Sequence, residues 1–257
     1  MGPGVSPGEV RRIVLGVYQT FWADVFSTLP LRARGTAEER VELEGAEALQ
    51  AAVKAGKGVI LWESTMFGYR MVGKRALHRL GLRIDQIHSE GHIQGFDHDP
   101  RTATWVMTNL VFRFYDRIER RLVNDVISIP RAGSLDYLRE SLARLRRGGV
   151  LCLAADGPVG RQRLELPFLG RTFSFASGVA NLARLSGATV LPYFCFEDEG
   201  RLRLIVETPI QIGTSREDGE RAVAQFAALL ETYVRRYPHQ YRGWHLLDLP
   251  RAARATN

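Results

Sequence analysis

The chain has 257 residues, of which 45% are hydrophobic and 25% charged, enough apolar material for one sizeable core and far from the composition of a disordered chain. Its formal net charge of +7 favours anionic partners, yet Lys and Arg are interleaved with acids and form neither an RNA-binding signature nor a basic reading helix. An anionic membrane surface or a phosphate-bearing substrate is therefore expected rather than nucleic acid, and no run approaches the ~20 apolar residues of a bilayer span.

The N-terminus, MGPGVSPGEVRR, has no apolar stretch of the kind a secretory signal needs. From Val10 to Leu29 the pattern predicts an amphipathic helix, with Val14, Val17, Tyr18, Phe21, Trp22, Val25 and Phe26 at helical spacing. Arg11 and Arg12 beside these aromatics suit an interfacial helix as well as a core one. A short strand, Val41–Leu43, and a helix, Ala46–Ala55, lead through Gly56 and Gly58 to a buried strand, Val59–Trp62. A helix from Phe67 to Leu80 stops at Gly81, and Arg83–His88 reads as a strand. The polar stretch HSEGHIQGFDHDP precedes a long helix, Thr102–Leu122, and then a strand, Asp125–Ile129. Ser134–Arg147 is predicted helical, Val150–Ala155 extended, and DGPVGRQR a loop. The helix Gly178–Ser186 is capped near Gly187; Val190–Phe196 and Arg201–Val206 pair through Glu199–Gly200; Glu217–Tyr237 closes the pattern as an amphipathic helix. Cys152 and Cys195 sit in apolar runs and read as buried thiols, no Cys/His cluster has zinc spacing, and neither metal nor cofactor is expected.

Strands alternating with helices imply one α/β domain over residues 1–257, a central, mainly parallel β-sheet flanked by helices, preceded by the N-terminal amphipathic helix. Ligands in such folds bind beyond the carboxyl ends of the strands, here WEST, IHSEGH, IPRAG and AADGP. Those ends carry Glu63 and Thr65, then His88, His92 and Asp97, then Arg131, then Asp156 with Arg161 and Arg163 following. Asp156-Gly157-Pro158 reads either as a simple turn or as a substrate-orienting loop, and the two arginines after it suit a phosphate. Arg131, after another strand, is open between a functional contact and plain surface charge. Phe168, Leu169, Phe173 and Phe175 read as core packing, with a wall of an apolar binding groove as the alternative.

Three segments together resemble the lysophospholipid acyltransferase superfamily, in its lipid A lauroyl/myristoyl acyltransferase branch. They are GKGVILWESTMFGYRMVGKRALHRLG, GGVLCLAADGPVGRQRLELPFLGRTFSFASGVANLARLSGATVLPYF and the closing YPHQYRGWH, and the resemblance as a whole covers about Phe21 to His245. The resemblance implies a glycerolphosphate-acyltransferase-like fold and a role in lipid biosynthesis. It further implies transfer of an acyl group from an acyl carrier protein or coenzyme A thioester to a hydroxyl or amine of a polar lipid. A cytoplasmic protein peripheral to the inner face of the cell membrane is the expected setting. The family activates its acceptor with H-x4-D/E, a general base and its orienter. In register this sequence has Thr65 for the His and Arg70 for the acid, and neither can do that work: a threonine hydroxyl is no base near neutral pH and Arg stays protonated. Thr65 and Arg70 are then expected to contact substrate. Three explanations remain open: Glu63 serves as base if burial raises its pKa; a His from the neighbouring strand end serves, His88 or His92, the latter in a literal H-x4-D with Asp97; or the domain binds lipid or carrier protein without catalysis.

Overall fold

A computed structural model describes residues 5–27, 41–89, 112–129, 135–156 and 162–247. In chain order these form α1 (Pro7–Ser27), β1 (Glu42–Glu44), α2 (Ala46–Lys54), β2 (Val59–Glu63), α3 (Arg70–Arg79), β3 (Ile84–Ser89) and α4 (Phe112–Leu122). There follow β4 (Asp125–Ile129), α5 (Asp136–Arg146), β5 (Val150–Ala154), β6 (Arg163–Phe168), β7 (Arg171–Ala176), α6 (Gly178–Ser186), β8 (Thr189–Asp198), β9 (Arg201–Val206) and α7 (Arg216–Arg236). Two short 3-10 turns, Pro238–Gln240 and Gly243–Leu246, finish the described chain.

Seven strands make one sheet in the order β1-β9-β8-β2-β5-β3-β4. The five from β8 to β4 run parallel, whereas β9 returns antiparallel to β8 and carries β1 parallel to itself. This is the central, mainly parallel sheet that the alternation predicts. β2 lies in its middle, and all five residues of VILWE are buried, as a strand covered on both faces demands. Its pleat sends Ile60 and Trp62 into one core with α6 and α7, where Trp62 stacks on Phe226 at 4.4 Å. Val59 and Leu61 go into the other, with α2, α3 and the buried Cys152 and Cys195. A third cluster joins Phe21 and Val25 of α1 to Met71 of α3 and to Tyr115, Ile118 and Leu122 of α4.

Three features depart from expectation. The predicted α1 stripe is split: Phe21 and Val25 are buried, while Val14, Tyr18 and Phe26 face outward with Leu15. The segment Arg163–Ala176 is an antiparallel hairpin, β6–β7, turned by Leu169 and Gly170, both at positive φ. Its Phe168, Phe173 and Phe175 are buried against one another and Phe168 against Tyr241, in line with the core-packing reading of these side chains. Finally, α3 begins at Arg70, not Phe67. Gly68 has φ +70, and a Cβ there would fall 2.0 Å from the Cys195 carbonyl oxygen, so the chain makes a tight turn before the helix can start.

Candidate active site

The turn Ser64–Gly68 leaves the carboxyl end of β2 and is braced by three other parts of the chain. Asp156, just past the end of β5, accepts hydrogen bonds from the Ser64 hydroxyl, from the Thr65 N–H at 2.6 Å and from the Met66 N–H at 3.3 Å. Ser64 Oγ in turn accepts from the N–H groups of Met66 (3.2 Å) and Phe67 (3.0 Å). Burial raises the Asp156 pKa above 3.8, and the bonds from Ser64 and the amides offset part of that rise. On the other side, Arg242 Nη2 donates to the Thr65 carbonyl at 2.8 Å and its own N–H to the Met66 carbonyl at 2.7 Å. Gly68 N–H donates to the Gln240 carbonyl and Tyr69 N–H to the Cys195 carbonyl. Every N–H from Thr65 to Tyr69 thus has a partner within the protein, and Thr65, itself half-buried, is held at the mouth of the sheet with both peptide groups fixed. Asp156 is fully buried beneath this turn, so it orients the turn rather than facing solvent.

Beside the turn lies a buried network of charge. Arg70 Nη2 meets Glu63 Oε1 at 2.5 Å, with Nε on Oε2 at 3.2 Å. Lys74, fully buried one helical turn later, pairs with Glu119 of α4 and stands 3.4 Å from Glu63. Gln86 Nε2 and Tyr193 O–H also donate to Glu63, at 3.1 and 2.8 Å. Burial alone would lift the Glu63 pKa, but Arg70, Lys74 and the donated hydrogen bonds outweigh it and hold the carboxyl far below its ordinary range. The same balance, led by Lys74, lowers Glu119. The raised pKa on which Glu63 would act as base is thus reversed in direction, and both carboxyl oxygens are engaged.

His88 lies at the end of β3, on the same face of its strand as Gln86 and half-buried. Burial draws its pKa below 6.5 against the opposing pull of Glu119 and Asp116, so the ring is neutral at pH 7 and can accept a proton. β3 is separated from β2 by β5, about 10 Å of sheet. Arg163 starts β6 with its guanidinium on Ser174, Nε to Oγ at 2.9 Å, within the hairpin. His92, Asp97, Arg131 and Arg161 lie outside the described residues. Among the described residues no three His, Cys, Asp or Glu side chains are grouped to hold a metal ion.

Several groups at the site escaped the sequence reading: Asp24, Lys74, Gln86, Tyr115, Glu119, Tyr193 and Arg242. A weak signal existed for Lys74, since Arg70 and Lys74 are one helical turn apart on a helix otherwise expected to be buried. Asp24 is fully buried and accepts from the Met71 and Val72 N–H groups, capping α3 from α1. Burial pushes its pKa up to about 6, against Arg242, the two N–H bonds and Arg70. Close to it, Arg70 Nη1, Arg242 Nε and the Tyr115 hydroxyl are buried and unpartnered. An unmet buried donor costs about 1–3 kcal/mol, so three in one place call for an explanation.

Comparison with known proteins fits this geometry. A family model described as "Bacterial lipid A biosynthesis acyltransferase" matches residues 102–246, over half of the chain. Two curated relatives, each a "Phosphatidylinositol mannoside acyltransferase" of Mycobacterium tuberculosis, strains CDC 1551 / Oshkosh and ATCC 25618 / H37Rv, are 27% identical over 204 and 205 residues. The match covers 77% of this chain but only 58% of each relative's length.

Proposed function

The chain belongs to the bacterial lipid A biosynthesis acyltransferase family, and from that premise we propose that it moves an acyl group from a thioester to a polar lipid. The donor is an acyl carrier protein or coenzyme A thioester, and the acceptor group is a hydroxyl or amine. The acceptor's nature follows the printed names, lipid A for the family and phosphatidylinositol mannoside for the two relatives. The observation that carries the reading is the braced turn Ser64–Gly68 at the carboxyl edge of the parallel strands, with His88 at the end of β3, one strand removed from β2.

The acceptor heteroatom attacks the thioester carbonyl carbon, forming a C–O or C–N bond. The tetrahedral intermediate collapses with cleavage of the C–S bond. The acceptor's proton passes to a base and from it to the departing thiolate. His88 is the base favoured among the described residues, with the His92/Asp97 pair as its alternative. The amides of Thr65, Met66 and Phe67 are already committed to Asp156 and Ser64, so oxyanion stabilisation falls to arginine, for which Arg131 and Arg161 are available. Arg11 and Arg12 together with the outward apolar side chains of α1 support docking on an anionic membrane surface, taken here as the inner face of the cell membrane. No helix among the described residues is long and apolar enough to cross a membrane.

Replacing the correct base by alanine should lower acyl-thioester turnover by about 100-fold or more. His88→Ala and His92→Ala, assayed against a panel of acyl thioesters with lipid extract as acceptor, test this. Full turnover in both variants removes the base assignment. A second reading is favoured by Arg70 standing where the family's acid belongs and being locked to Glu63: a lipid- or carrier-protein-binding module without catalysis. Lipid binding by the unaltered protein with no thioester turnover would select it.

A further inference from the structure

Arg70, Arg242, Tyr115 and Asp24 come from four separate parts of the chain: the first turn of α3, the segment after α7, α4 and α1. Asp24 bonds the Met71 and Val72 N–H groups next to Arg70, Tyr115 packs with Phe21 and Met71 in one cluster, and Phe21 lies against Arg242, which places the four in one neighbourhood. All are buried. Arg70 uses Nε and Nη2 on Glu63 and Glu119, and Arg242 uses Nη2 and Nη1 on the Thr65 and Gly68 carbonyls. One N–H nitrogen of each guanidinium and the tyrosine hydroxyl are left over. The carboxylates nearby do not serve them. Glu63, Glu119 and Asp156 are committed elsewhere, and Asp24 gives its oxygens to the α3 amides. Phe21 of α1 lies against Arg242, 5.7 Å from ring centroid to guanidinium carbon, and closes the α1 side.

We propose that Arg70 Nη1, Arg242 Nε and the Tyr115 hydroxyl form an oxyanion site for a phosphate group carried by one of the two substrates, next to the Thr65 turn. Two guanidinium groups and a phenol hydroxyl supply N–H and O–H donors only, the complement of phosphate oxygens. Asp24 is the anion already present: its charge offsets the arginines without meeting their free donors. Its removal should therefore favour an incoming phosphate. The phosphate is either that of a lipid headgroup or that of a phosphorylated thioester donor, and the inference rests on the transferase reading only for which molecule carries it.

Calorimetric titration of the full chain with inorganic phosphate, with coenzyme A and with phosphatidylinositol in neutral detergent micelles tests the site. Binding should weaken about tenfold in Tyr115→Phe and in Arg242→Lys, and tighten about tenfold in Asp24→Asn. Tyr115→Phe is the clean variant, because the hydroxyl has no partner to lose and the thermal midpoint should not fall. Preference for coenzyme A assigns the donor's phosphate, and preference for the lipid micelles assigns the headgroup. Inorganic phosphate binding alone, without competition from either larger probe, overturns the substrate assignment. Binding of none of the three, or binding indifferent to all three substitutions, overturns the site. Thioester turnover on the same preparation separates the two readings: turnover without phosphate binding sinks the site alone, and binding without turnover sinks the transferase reading alone.

Discussion

Asp24 and Glu63 are both buried carboxylates bonded to the first turn of α3, yet their proton affinities move in opposite directions. For Asp24 burial outweighs Arg242, the two amide donors and Arg70, and its pKa rises to about 6. Glu63 has Arg70 in direct contact and Lys74 behind it, so burial loses. The signs for stability follow. Below pH 3.8 both folded and unfolded chains carry the Asp24 proton. Between there and about pH 6 only the folded chain holds it, so stability falls as pH rises through that window, by about 3 kcal/mol. Glu63 acts oppositely: its contribution is present above pH 4.5 and is lost as pH falls below it. Asp24→Asn removes only the first effect. In urea unfolding at a series of pH values, the variant should gain on the unaltered protein by about 3 kcal/mol from pH 4 to pH 7, whatever its constant offset; parallel curves would refute the assignment. The sequence placed Glu63 at the site but could not say which way its pKa would go. That depends on Arg70, Lys74 and Tyr193, the last 130 positions away in the chain, none of which lies beside it in sequence.

Among the elements, the 3-10 turn Pro238–Gln240 does most to finish the site. Gln240, fully buried, accepts from the Glu197 N–H at 2.9 Å and donates to the Glu197 carbonyl at 2.7 Å, so one side chain completes both backbone groups near the end of β8. Gln240→Ala leaves both unmet and should cost about 3 kcal/mol in denaturant unfolding; a loss below about 0.5 kcal/mol would show that water replaces the side chain. The resemblance of YPHQYRGWH to the family's closing pattern marked this segment, but not what it does. The strands and helices of the central sheet were legible, because apolar runs bounded by glycine report burial directly. Among the described residues β6 and β7 were not. Their turn is Leu169–Gly170, and a leucine at positive φ carries none of the Asn or Asp signal by which such hairpins are recognised. The Glu199–Gly200 hairpin, with the same backbone geometry, was read correctly because alternating strands flank it. The start of α3 was misplaced for a tertiary reason: its cap, Asp24, comes from another helix.

For the molecule as a whole, the outward side of α1 is the feature that the core does not account for. Leu15, Tyr18 and Phe26 are each more than half exposed, with Arg11 and Arg12 also exposed on the same helix. Docking on an anionic surface should make co-sedimentation with phosphatidylglycerol vesicles strong at low salt and weak at about 0.5 M salt. The double substitution Leu15→Asp, Tyr18→Asp should abolish it without unfolding the protein, since neither side chain is in the core. Equal binding by the variant would assign that face elsewhere. The braced turn has a different consequence, one for the order of events in biosynthesis. Ser64–Gly68 is held both by the Ser64 hydroxyl within the turn and by residues 156, 240 and 242 far along the chain. A nascent chain that has already extruded β2 and β5 still has the turn open at Gly68 and without its arginine clasp. On the proposed reading, a chain whose residues 240 and 242 have not docked lacks the Gly68 anchor and the arginine clasp, so activity would wait for the C-terminal segment to fold onto the turn.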